Sequence, residues 1–227
     1  MGARTSTLGD MRGQALLDWL SALPVETRDS ALEEHLGIAE PAPDSSPPGP
    51  ELIGYHASSV AAIVRALIEI PVVREDIFVD LGAGLGKVVL LAHLLTGASA
   101  RGIELQPELV ARAAAAASRL AAEVKFVATD ARDADLDSGT VFYLYAPFTG
   151  SVLSQVLRRL ESIATRRAIV ICGLGVDLHR AAPWLGPRPT DSFWLTVYDS
   201  VVAGVSPRSA RHSALEGSTD IVTRERV

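Results

Sequence analysis

The stretch FVDLGAGLGKVVLLAHLL, residues 78–95, constrains this chain more than any other. An apolar run of strand character ends at Asp80, glycines follow at Gly82, Gly84 and Gly86, and a second apolar run stops at Gly97. Strand, glycine turn and helix in that order make the first βα unit of an open parallel sheet. The glycines let a ligand approach the backbone closely because no side chain intervenes.

Helix and strand signals alternate around that unit. VAAIVRALIEI reads as the helix before it; SARGIEL, VKFVATD and TVFYLYAPF read as strands after it. PELVARAAAAASRLAAE is a long helix with Pro107 in its first turn and Glu108 at its positive end. SVLSQVLRRLESIA, RAIVICGLG and SFWLTVYDS continue as helix, strand and strand, and VVAGV is expected to extend or pair with the last. The expectation is an α/β fold with a mainly parallel, seven-stranded sheet flanked by helices.

Ahead of this domain, GQALLDWLSALP and DSALEEHLGI place leucines at helical spacing, with Asp29 or Ser30 as a cap and Gly37 as a stop. The organisation expected is a small N-terminal helical extension over residues 1–38, a Pro/Ser-rich linker over 39–50, the main domain over 51–205 and a disordered tail over 206–227. No apolar run approaches the roughly 20 residues needed to cross a bilayer, and the start carries no stretch of signal-peptide type. A cytoplasmic, membrane-free protein of unspecified oligomeric state is expected. The net charge of -6 disfavours nucleic acid as a partner, since such affinity rests on clustered Lys and Arg. A single cysteine, Cys172, and five scattered histidines build no disulfide and no metal site.

The glycine spacing discriminates between nucleotides. A dinucleotide fingerprint counted from Gly82 and Gly84 needs its third glycine at position 87, which is Lys87; a Walker phosphate loop needs a hydroxyl after its lysine, where Val88 stands. What remains is an acid followed by G-x-G-x-G, with Glu104 ending the next strand and Asp130 the one after. This pattern resembles class I, Rossmann-like methyltransferases that use S-adenosylmethionine (SAM) and release S-adenosylhomocysteine (SAH). The resemblance implies that Gly82, Ala83 and Gly84, with Gly86 behind them, pass under the methionine and ribose. It further implies that Asp80 orients the ammonium, and that Glu104 takes both ribose hydroxyls with Leu105 beside it. Asp130 and the Ala131 N–H would then read the adenine.

The acceptor is expected to face Tyr145-Ala-Pro-Phe148 after the fourth strand. Methyltransferases of amide or base nitrogens carry Asn or Asp where Tyr145 stands, so base methylation is disfavoured. Locally, DLGAGLGKVVLLAHLL with GIEL and YAPF, over roughly residues 51–160, is similar to the non-SET histone lysine methyltransferases. That family implies a tyrosine, here Tyr55, closing over the cofactor. Tyr145, Phe148, Tyr55 and His56 are the candidate catalytic residues, His56 as general base, and Lys87 is expected at the exposed start of a helix. The acceptor expected is a protein side chain, lysine among them, or a small molecule. The competing expectation is a SAM-binding sensor or scaffold without transfer activity.

Overall fold

The computed structural model describes residues 11–38, 49–190, 194–206 and 208. Residues 39–48 of the expected linker, and the expected tail apart from Ser206 and Arg208, lie outside the described residues. Five strands, β1 (Ile77–Leu81), β2 (Ser99–Glu104), β3 (Val124–Ala128), β4 (Val141–Tyr145) and β5 (Val170–Leu174), pair in parallel. Two more, β6 (Leu185–Pro187) and β7 (Leu195–Ser200), add an antiparallel edge, giving the order β3-β2-β1-β4-β5-β7-β6. The seventh strand comes from a weakly patterned stretch around Trp184, not from VVAGV. Residues 201–205 form a turn, with only the Val201 N–H donating back to the Trp184 carbonyl.

The strand order reverses between β1 and β4, so the loops after these two strands diverge and leave a crevice at the sheet's carboxyl edge. Strand residues alternate between two cores. Phe78, Val141, Tyr143 and Cys172 face helices α3 (Val60–Glu69), α4 (Lys87–Thr96) and α5 (Pro107–Arg119); Val79, Phe142, Leu144 and Ile171 face α6 (Gly150–Ala164). Among the described residues α6 is the helix on that second face, and loop residues that include Leu136, Leu178 and Ala182 cover the rest.

The N-terminal helices α1 (Gly13–Ala22) and α2 (Val25–Leu36) share the first core through Leu16, Leu17, Leu20, Leu32 and Leu36. Their termini are tied by arginines. Buried Arg28 donates to the Leu20 carbonyl at 2.9 Å, and Arg119 donates to Leu36 at 2.6 Å, each a cation at a helix C-terminus where the dipole favours it. Gly37 ends α2 in the left-handed conformation, as its position suggests. Asp29 does not cap α2, which begins four residues earlier behind Pro24. Its carboxylate instead accepts from the Val60 N–H, at the start of α3.

Gly86 opens α4 at φ 80°, and a Cβ there would lie 2.5 Å from the Phe126 ring. Gly86→Ala combines left-handed strain with overpacking and should cost on the order of 2–4 kcal/mol, read as a lower urea midpoint by far-ultraviolet circular dichroism.

Candidate functional site

The turn after β1 is pinned from the neighbouring strand. Gly82 and Ala83 both donate to the Ile103 carbonyl, at 2.8 and 3.0 Å, and the Gly84 N–H donates to Glu104 Oε2 at 2.9 Å. The other oxygen, Oε1, accepts from the Gln106 N–H at 2.9 Å. Glu104, 8% exposed, therefore enters the crevice with each oxygen oriented by one backbone donor and with lone pairs left for a diol.

Asp80 stands differently. It is 3% exposed at the end of β1, and among the described residues no hydrogen bond or ion pair holds its carboxylate. Burial pushes its pKa well above the usual range, and the neighbouring Glu104 adds to the rise. A buried, unpaired carboxylate lining a crevice is expensive unless a cation arrives there.

Asp130 lies two residues beyond the end of β3 and does not end the strand. Its carboxylate accepts from the Arg132 N–H at 2.8 Å and from both arms of the Arg132 guanidinium, at 3.0 and 2.7 Å, which hold its pKa below the usual range. Arg132 thus sets the orientation in which Asp130 and the buried Ala131 meet the crevice.

The opposite wall is Tyr145-Ala-Pro-Phe148. Tyr145 is 42% exposed, Ala146 is held at φ 38°, and Phe148 is buried. Residues 51–53 run antiparallel to this segment: Ile53 N–H donates to the Pro147 carbonyl at 3.0 Å and Thr149 N–H to the Glu51 carbonyl at 2.8 Å. The Glu51 side chain caps α6, accepting from Ser151 N–H at 3.0 Å and Ser151 Oγ at 2.6 Å, which lowers its pKa. Neither Glu51 nor Ser58, which accepts from the buried Tyr143 hydroxyl at 3.2 Å, was legible in sequence, since their partners stand 100 and 85 residues away.

Asp80, Gly82, Ala83, Glu104, Leu105, Asp130, Ala131, Tyr145, Phe148, Tyr55 and His56 all line this one crevice, about 960 Å³ out to its open mouth. Gly84 and Gly86 are not among its lining residues. A Cβ on Gly84 would lie 2.4 Å from the Tyr55 ring, so the close approach expected of a ligand at that glycine is made by Tyr55. Burial, and then Glu33, push the Tyr55 phenol up to about 12. His56 is exposed beside it. Lys87 is not the exposed helix start expected: it is 4% exposed, and its ammonium meets Asp29 at 2.8 Å and Glu33 at 2.6 Å. Among the described residues no group of three His, Cys, Asp or Glu side chains could hold a metal, and no helix is long and apolar enough to cross a membrane.

A family model described as "Histone methylation protein DOT1" matches residues 55–142. An RNA methyltransferase from Salinibacter ruber, solved in complex with S-adenosyl-L-homocysteine, is 27% identical over 69% of this chain and 100% of its own, with a TM-score of 0.54. A SAM dependent methyltransferase from Aquifex aeolicus is 12% identical over 60% of this chain and 88% of its own, with a TM-score of 0.48. No curated protein matches the chain. The sheet and its helices are those of the class I methyltransferase fold.

The Asp80 carboxylate makes stability depend on pH with a definite sign. Near pH 4, about the ordinary value for an aspartate, the folded group is neutral and the penalty is small. As pH rises toward the raised folded value, the unfolded chain ionises first and stability falls. Asp80→Asn should make the ligand-free chain more stable at pH 8 by on the order of 1 kcal/mol, with the gap closing toward pH 4 in urea denaturation.

Proposed function

We propose that this chain, a SAM-dependent methyltransferase of class I fold, moves the methyl group to a nucleophile on a protein side chain or a small molecule, in the cytoplasm. The observation that carries the site assignment is the unpaired, buried Asp80 beside Glu104 in the crevice. One carboxylate without a cation and a second with free lone pairs suit an α-ammonium and a ribose diol. The donor set fits SAM: Asp80 takes the ammonium, Glu104 the two hydroxyls, Asp130 the adenine amino group and the Ala131 N–H the adenine ring. Leu105 and Phe148 give the crevice apolar walls.

Bound SAM supplies an electrophilic methyl carbon on a sulfonium. The residues of this chain position it, exclude water and present the acceptor in line, the source of most of the barrier lowering in such a displacement. Tyr145 and Ile53, both partly exposed at the mouth, form the wall on which the acceptor rests. Aromatic faces there favour the cationic sulfonium. His56, exposed beside Tyr55 on the strap of residues 51–59 that leads into α3, takes the acceptor's proton if the nucleophile enters protonated.

The acceptor side of the crevice, from Leu52 to Ser58 and from Tyr145 to Val152, offers no carboxylate or amide. That composition weighs against a base amino group, which lacks an acceptor here for its N–H, and the net charge of -6 weighs against an RNA backbone. RNA is the substrate class named for the Salinibacter ruber protein, and here it is an outcome to be tested.

Calorimetry with SAH and with NAD tests the cofactor: SAH should bind and NAD should not. Glu104→Ala should weaken SAH by about 100-fold, the equivalent of two lost charge-assisted hydrogen bonds. NAD binding without SAH binding overturns the reading. Transfer of labelled methyl from SAM to a cell-extract pool, lost in Glu104→Ala, supports the enzyme; tight SAH binding with no acceptor in protein, small-molecule or RNA pools favours the silent module. His56→Ala should slow transfer by about 100-fold or more. An unchanged rate removes His56 from the chemistry.

A further inference from the structure

Asp29 and Glu33 lie one turn apart on α2, so their side chains share a helix face. Asp29 Oδ1 accepts both the Val60 N–H, at the first residue of α3, and the Lys87 ammonium, at the first residue of α4, at 2.9 and 2.8 Å. Glu33 accepts from the same ammonium at 2.6 Å. A helix outside the expected catalytic domain therefore fixes the starts of two helices that border the crevice.

Lys87 is an unusual choice for its position. A cation at the first residue of a helix opposes the dipole, and a buried ion pair contributes less stability than apolar side chains of the same volume. The arrangement nevertheless keeps Lys87 buried and neutralises it twice. Two of its three N–H donors are taken by α2, and the side chain lines the crevice. The strap carrying Tyr55 hangs from the α3 start that Asp29 holds: Ser59 caps α3, Ser58 accepts from Tyr143, and the Tyr55 ring rests on Gly84. Glu33 lies close enough to raise the Tyr55 pKa.

We infer that Asp29 and Glu33 are positioning residues of the cofactor site, holding Lys87 and the Tyr55 strap in the geometry that receives the amino-acid end of SAM. This rests on the crevice being a SAM site. It makes α2 part of the binding machinery, with an influence carried through a lysine that carboxylates on α2 reach from 54 and 58 residues away.

The test is a double-mutant cycle on the full chain, read by SAH calorimetry and SAM kinetics. Glu33→Gln leaves Asp29 to neutralise Lys87 and should fold; Glu33→Gln and Lys87→Met should each weaken SAH by about tenfold, the effect of one lost polar contact. KM for SAM should rise while kcat stays within about twofold, as for an interaction shared by ground and transition states. The double variant should bind no worse than Lys87→Met alone, because Lys87→Met already removes the contact that Glu33→Gln removes, and Glu33→Asp, which keeps the charge, should restore most of the affinity. SAH binding by Glu33→Gln equal to wild type, or losses that add in full, would overturn the inference while leaving the SAM site standing. Absence of SAH binding by the wild-type chain overturns both.

Discussion

The backbone hydrogen bonds that tie Gly82 and Ala83 to the Ile103 carbonyl are the constraint from which the crevice is built. They lock the turn after β1 to the end of β2, and Glu104, one residue on, completes the lock by accepting from Gly84. With the turn fixed, α4 starts in a set direction. Pro147 packs on Gly82 from one side and Tyr55 on Gly84 from another, at separations that leave no room for a Cβ. The chain's own side chains thus pack against Gly82 and Gly84, while Gly82 and Ala83 still line the crevice.

Three acids in that crevice show how environment separates residues of one chemical type. Asp130 is satisfied by Arg132 and held ionised. Glu104 is oriented by two backbone donors. Asp80 has neither, and burial opposes its charge. A fold free of functional demands would not keep such a group at the end of a central strand, because an apolar residue there would be more stable. The cost is confined to the site and offset by the two continuous cores on either side of the sheet.

The two faces of the sheet are unequal, and this shapes the chain's N-terminal region. One face has three helices with α1 and α2 packed as a further layer; the other has α6 and loops. Because α2 carries its acids toward the starts of α3 and α4, the added layer is coupled electrostatically to the crevice as well as packed on the core.

Much of this was legible in the residues. The five parallel strands, the helices between them, the Gly37 and Gly97 stops and the acids at or just beyond the strand ends follow from periodicities and caps that act within a few residues. Since strand ends in a parallel sheet converge on one edge, an acid after each strand had to arrive near the glycine turn. The edge was less legible: a three-residue β6 carries too short a pattern to read, and VVAGV imitates a strand that it does not form. Asp29 looked like a cap for its own helix, and Lys87 like a solvated helix start, because charge in sequence signals exposure until a partner is known. By itself, then, the sequence determined the βα framework and the type of turn, through interactions local in the chain. Only the tertiary structure decided which carboxylate stays unpaired, which lysine is buried and which aromatic ring covers the glycines. Those outcomes depend on groups tens of residues apart being brought within about 3 Å.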